Sequence, residues 1–322
     1  MRTFTVDLNK PPMERWAFLT DYKAEVNELI GYYLTDITSL GGSLALDLIG
    51  TYKSLIIPRN YLDEIKSLAD QCDFSEDEVL LANLYYDAVK FAFGCTAFAI
   101  HDGKTVWHAR NLDWWTENGA LSKYSAIFHF QRDGSTVYKT VGWPGFIGAL
   151  SGMKPGSFAL TLNAVVSNES PGIANPVSFL LRDVLENCQS FEEAQQKLSH
   201  TNIISDCLLL LSGTKEGEMV VIERTPTKHY LRQPSTNSIV VTNDYKGLDL
   251  NVSEGQNTLQ ETSCGRYDGA ERLLSNRNTF TAEACFEVLS HRNVKMDMTV
   301  QQMAFNTEND VMELRTPVYF AD

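Results

Sequence analysis

The stretch FGCTAFAIHDGKTVWHARNLDWW, residues 93–115, places a cysteine, an arginine and an aspartate on two short apolar runs joined by Asp102-Gly103. Asp-Gly between such runs predicts a tight hairpin with a two-residue type I′ turn. That turn pairs His101 with Lys104, Ala99 with Val106, Ala97 with His108 and Cys95 with Arg110. Directly opposed residues share a face with Cβ atoms about 4.5–5.5 Å apart. Arg110 is therefore expected beside Cys95, and Asp113, just past the strand end, folds back toward the same spot. A guanidinium near a thiol favours the thiolate, and a carboxylate can hold that guanidinium or bind an amine. The three side chains suit a nucleophile site. A free cysteine is also a common small core residue, so patterning alone leaves both readings open.

The other chemistry-bearing residues converge less. His108 shares the Cys95 face two residues along the strand, either as half of a Cys-His dyad or as a core histidine. His101, His129, His200, His229 and His291 lack metal-ligand spacing. Gly142, Gly145, Gly148 and Gly152 form neither a dinucleotide fingerprint nor a P-loop. No cofactor and no metal are expected. Trp114 and Trp115, directly after Asp113, are the expected walls of an acyl pocket, with Trp107 and Trp143 as further aromatic candidates.

The elements that must position these residues follow from texture. Residues 12–92 read mainly helical; SEDEVLLANLYYDAVKFAF carries a Ser N-cap, acids in its first turn and apolar residues three and four apart. From Cys95 to about Val166 the chain turns β-branched and aromatic, punctuated by Asp102-Gly103, Asp133-Gly134 and Lys154-Pro155-Gly156, which predicts an antiparallel meander. Helices are expected near 176–188 and 190–200, strands at 207–212, 219–224, 229–232 and 238–242, helices at about 267–276 and 281–291, and closing strands at 298–305 and 310–315. This order predicts an α+β fold of two antiparallel sheets covered by helices.

Composition narrows the partners. A net charge of -14 over 322 residues argues against nucleic acid and anionic lipid surfaces. Six widely spaced cysteines, with no C-x-x-C pair, suggest neither a zinc site nor a disulfide framework. The opening MRTFTVDLNKPPMERW lacks the apolar run of a signal peptide, and no stretch predicts stable membrane insertion. A cytoplasmic chain is expected, lysosomal or exported only if a targeting segment was trimmed.

Four segments, in order, resemble one family. TVDLNKPPMERW, GCTAFAIHDGKTVWHARNLD, GWPGFIGALSGMKPGSFALTLN and IVVTND are similar to the motifs of the acid ceramidase and N-acylethanolamine acid amidase group. This group lies within the cholylglycine-hydrolase type of N-terminal-nucleophile cysteine hydrolases. The resemblance implies an αββα sandwich preceded by a helical N-terminal segment, made as a precursor that cuts itself between Gly94 and Cys95. Residues 1–94 would form a helical subunit and 95–322 the catalytic one, remaining associated as a heterodimer. It implies hydrolysis of a small-molecule N-acyl amide, a lipid amide such as an N-acylethanolamine or a ceramide-like molecule. Cys95 would be nucleophile and, through its new α-amino group, base. Arg110 would stabilise the thiolate, Asp113 hold the α-amino group and Asn243 donate to the oxyanion. Asn163 would line the same hole, and Arg266 would be a second site arginine. One position departs from the pattern: Ala164 stands where an acid usually follows the "LN". A bile-salt or penicillin-V-type acylase, a catalytically silent acyl-binding homologue and a Cys95–His108 protease are the competing readings.

Overall fold

The computed structural model describes residues 2–39, 49–50, 52–89, 93–114, 119–170, 172–250, 258–277 and 279–317. An eight-stranded sheet runs in the order β1 (Arg2–Asp7), β4 (Ala126–Arg132), β5 (Ser135–Gly142), β6 (Ser151–Lys154), β7 (Phe158–Asn163), β8 (Cys207–Ser212), β9 (Met219–Arg224) and β10 (His229–Arg232). A five-stranded sheet runs β11 (Ser238–Val241), β2 (Phe93–His101), β3 (Val106–Trp114), β12 (Thr299–Asn306) and β13 (Val311–Arg315). Between them lies an apolar layer in which Ala97, Ala99 and Val106 meet Leu208, Leu210 and Val221. Helices cover both outer faces, as the sequence predicts.

The N-terminal part contributes α1 (Lys23–Ser39), α2 (Arg59–Ala69), α3 (Glu76–Asn83) and α4 (Tyr85–Val89). The predicted cap is present: Ser75 Oγ accepts from Glu78 N and Glu78 Oε2 accepts from Ser75 N, a reciprocal capping box. The run expected as one helix breaks at Leu84. After α5 (Ala120–Tyr124), α6 (Val177–Asn187) and α7 (Phe191–His200) pack against the larger sheet. Finally α8 (Thr258–Ser275) and α9 (Ala282–Leu289) cover the smaller one through Ala270, Leu274, Phe286 and Leu289.

One strand lies outside the expected set. Residues 2–7 form β1, which pairs with β4 in parallel, while the other strand pairs run antiparallel. Its alternation, Phe4 and Val6 buried against Thr3 and Thr5 exposed, carries the period-2 signal of a half-buried strand. The N-terminal part is thus woven into the eight-stranded sheet. A buried ion pair reinforces the join: Arg182 of α6 donates from Nη1 and Nη2 to the two oxygens of Glu64 on α2, at 2.5 and 2.8 Å. Trp16 Nε1 and Arg15 Nη1 complete the shell around that carboxylate. Burial acts to raise the Glu64 pKa, but Arg182, Trp16 and Arg15 outweigh it and hold it below the usual range.

The two Asp-Gly turns differ. Asp133 and Gly134 both have positive φ, 51° and 76°, as a type I′ turn requires, and join Arg132 to Ser135 directly. At Asp102-Gly103 only Gly103 has positive φ. The Asp102 carboxylate accepts from the N–H groups of Lys104 and Thr105, and from Phe280 N just before α9. The loop therefore spans four residues, 102–105, and the register moves by two from the two-residue expectation: Cys95 faces Leu112, and Arg110 faces Ala97.

Candidate active site

A register shift of two keeps every side chain on its expected face, because the side-chain period of a strand is two. Arg110 becomes a diagonal neighbour of Cys95, within reach of a long side chain. Its Nη2 lies 3.1 Å from Cys95 Sγ. Arg110 is held from the larger sheet: Nη1 donates to Ser151 Oγ at 2.6 Å and Leu150 O at 3.3 Å, and Nη2 also meets Leu162 O. The close packing at β6 depends on Gly152, where a Cβ would stand 2.6 Å from Leu185 Cδ1 and 2.7 Å from Lys139 O. Cys95 is fully buried. Burial pushes its thiol up, Arg110 pulls it back, and the net direction is upward. The Arg110 guanidinium acts in the expected direction, toward the thiolate, but desolvation is the larger effect.

The main chain of Cys95 is gripped separately. Cys95 N–H donates to Asn243 Oδ1 at 3.1 Å, and Arg266 Nη1 donates to Cys95 O at 2.5 Å. Arg266 also donates to Thr96 Oγ1 and, from Nη2, to Asn243 Oδ1 at 2.7 Å. Both partners of Asn243 Oδ1 are donors only, which fixes the amide orientation. Asn243 Nδ2 then donates to Ala164 O at 2.8 Å, and Asn243 N to Ser263 Oγ on α8. Asn163 is used differently from the oxyanion-hole expectation. Its Nδ2 donates to Val241 O and Thr242 O, so its donors are spent fastening β7 to the end of β11. Its Oδ1 is an acceptor and cannot stabilise an oxyanion.

Asp113 lies within β3, opposite Gly94, and not past the strand end. It shares the Gly94 face, toward α8 and α9, whereas Cys95 and Arg110 point between the sheets. No ion pair joins Asp113 to Arg110 among the described residues. Thr299 Oγ1 donates to Asp113 Oδ1 at 2.5 Å, and Oδ2 is buried with no partner among the described residues. Burial raises the Asp113 pKa against the opposing pull of Arg266, Thr299, Arg110 and Lys295.

Trp114, on the Cys95 face, stacks with Tyr33, packs at a tilt against Tyr85 and meets Trp143 edge-on. Together with Tyr86, Phe146 and Leu150 they wall a narrow apolar cavity. Leu150 is also an anchor of Arg110, so this cavity abuts the thiol's surroundings. Trp115 lies outside the described residues, and Trp107 packs in the helix-side layer. His108 bridges the sheets through Thr161 Oγ1 and Ser212 Oγ at 2.8 and 2.9 Å. Burial and Arg110 push its pKa down to about 3, so it is a neutral core histidine without contact to Cys95. Three positioning residues escaped the sequence reading: Ser151, Ser263 and Thr299. Ser151 stands inside the GALSG motif; nothing local marked the other two.

Comparison with known proteins completes the picture. The profile of the family described as "Acyl-coenzyme A:6-aminopenicillanic acid acyl-transferase" matches residues 100–308, well over half of the chain. The chain belongs to that family. Among curated relatives, acid ceramidase of Balaenoptera acutorostrata scammoni is 30% identical over 255 residues, covering 69% of this chain and 62% of that one. Acid ceramidase of Macaca fascicularis is 28% identical across 99% of this chain and 86% of its own length. The chain thus spans less than two thirds of the first relative and more of the second. A solved Caenorhabditis elegans ortholog of N-acylethanolamine-hydrolyzing acid amidase superposes with a TM-score of 0.56 at 25% identity, over 66% of this chain and 92% of that one. The resemblance read from the four motifs is borne out. Among the described residues no helix is long and apolar enough to cross a membrane.

Proposed function

We propose that this protein hydrolyses the amide bond of N-acyl compounds, lipid amides in particular, with Cys95 as an N-terminal nucleophile. The relatives named above are acid ceramidases and an N-acylethanolamine-hydrolyzing acid amidase ortholog, which supports an amide as the substrate. One observation carries the reading: the sulfur, the N–H and the carbonyl of Cys95 are each held by a different side chain, Arg110, Asn243 and Arg266. A merely structural cysteine needs no such grip.

Cys95 Sγ first attacks the Gly94 carbonyl, the acyl group moves from nitrogen to sulfur, and water releases it. Gly94 suits this step because it has no Cβ to resist unusual backbone geometry. Residues 1–94 and 95–322 become separate chains, held by β1–β4 pairing and the Glu64–Arg182 pair. The new ammonium at residue 95 supplies a donor to Asp113 Oδ2, which lacks one opposite Gly94. An α-amino group has a reference pKa of about 7.7–8.0, so a useful fraction is neutral near pH 7. It takes the thiol proton, the sulfur attacks the substrate carbonyl, and the same proton goes to the departing amine. Arg110 stabilises the thiolate, and Asn243 Nδ2 exchanges Ala164 O for the oxyanion. Water then hydrolyses the thioester. An amine in place of that water would give acyl transfer, the second reading, which the matching family's description favours.

The test is to trap the intermediate. Acid-quenched protein incubated with an N-acyl amide should carry one acyl group on the peptide beginning at Cys95, absent in Cys95→Ala. Hydrolysis without any acyl adduct on that peptide refutes the mechanism.

A further inference from the structure

Asn243 and Arg266 hold the main chain of Cys95, and the segment around Asn243 is itself fastened by a buried carboxylate that the mechanism does not use. Glu223 of β9 is fully buried, on the strand face of Met219 and Val221, which belong to the apolar layer between the sheets. A carboxylate taken from water into such a layer is costly unless donors surround it. Here the donors come from the segment after Asn243. Lys246 N donates to Glu223 Oε1 at 3.0 Å, and Gly247 N and Leu248 N both donate to Oε2 at 2.9 Å. Three successive N–H groups turned on one anion form a backbone nest, filled here by the chain's own side chain. Tyr245 Oη adds a tie to Arg224 O at 2.8 Å. The other side of Asn243 leads to the same carboxylate. Arg232 Nε, on β10, stands 3.4 Å from Glu223 Oε1, and Arg232 Nη2 donates to Val240 O of β11 at 2.7 Å. Asn243 thus lies between two anchors, Val240 and Lys246, that meet on one side chain. The segment also reaches α8, where Lys246 Nζ sits 3.8 Å from the centroid of the Tyr267 ring, next in sequence to Arg266.

We infer that Glu223 is a positioning residue for the reaction: through the 246–248 nest and through Arg232 it sets the place of the Asn243 amide against Cys95. The inference rests on the reading of Cys95 as nucleophile and Asn243 as oxyanion donor, and deepens it. A carboxylate that only filled space between the sheets would bear on stability and leave turnover alone. One that aims an oxyanion donor bears on the rate of the chemical step, because a small misplacement there is amplified in the rate.

The test compares wild type, Glu223→Gln and Glu223→Ala as full-length proteins, with turnover counted per cut chain. The substrate is N-dodecanoylethanolamine, or N-dodecanoylsphingosine where that is cleaved faster. Glutamine keeps the shape but turns an NH₂ group toward N–H donors, so the nest loses at least one bond. The kcat should fall about tenfold in Glu223→Gln and about 10²-fold in Glu223→Ala, with KM unchanged within about twofold. Glu223→Ala removes the atoms of one acetate ion. Sodium acetate should therefore restore most of the lost kcat in that variant, whereas sodium chloride at equal ionic strength should not. Alkylation of Cys95 by iodoacetamide needs the sulfur and no oxyanion donor, so its rate should match wild type in both variants. Unchanged kcat in both variants overturns the Glu223 inference alone. So does a loss of kcat that acetate leaves in place and that alkylation shares, since that marks general disorder of the site. A wild type that cleaves neither amide refutes Cys95 as an amide nucleophile, and the Glu223 inference falls with it.

Discussion

Burial raises the affinity of Cys95 for its proton and Arg110 lowers it; the balance favours the thiol until a base arrives beside it. In the proposed mechanism the α-amino group is that base, and Asp113 would set how tightly the base keeps a proton. An opposite charge within a few ångströms raises an amine's pKa, so removing it lowers that pKa. Asp113→Asn should therefore move the acid limb of the kcat/KM profile to lower pH, by about one unit or more. Rates measured across pH check this; an unmoved limb separates Asp113 from the amine. Asn243→Ala removes the proposed oxyanion donor and should lower kcat by ~10²–10³. His108 makes a contrasting prediction. Its ring joins two hydroxyls across the sheets and stays neutral, so His108→Gln should lower the melting temperature while scission and turnover persist. Loss of chemistry in that variant would restore the protease reading.

Elements decide how much of this was legible. Alternation in 95–101 and 106–113 was enough to put Cys95 and Arg110 on one face, because an even register error preserves faces. The register itself was not legible, since Asp102 is recruited by Phe280 N, far along the chain. Asp113 was read as a loop residue because the two-residue turn ended the strand early; β12 pairing through Thr299 extends it. Asn163 and Glu64 were opaque for the same reason: their partners, Val241, Thr242 and Arg182, meet them only through tertiary packing. The strand at residues 2–7, by contrast, showed its alternation openly. Glu64 carries a prediction at this scale. Glu64→Gln leaves the fully buried Arg182 without a counter-charge and should cost about 3–5 kcal/mol of stability. Glu64→Leu with Arg182→Met removes both charges and should unfold closer to wild type in urea. Equal losses in the two variants would deny the pair its role.

At the scale of the molecule, residues 1–94 are not an appendage: they give a strand to the eight-stranded sheet and half of a buried ion pair. After scission the two chains should co-migrate as one particle. The Glu64 pKa is lowered on folding, so its stabilisation is complete above the unfolded carboxylate value of about 4.3 and fades as pH falls through the folded value. Size-exclusion of the matured protein should show one peak at neutral pH and separation only under strongly acid conditions. The most direct measurement is the amino-terminal sequence of the larger chain in active, purified protein, read with its intact mass. The account predicts a chain beginning at Cys95, with a companion ending at Gly94, and a single uncut chain for Cys95→Ala. An active protein whose Gly94–Cys95 bond is whole would contradict it.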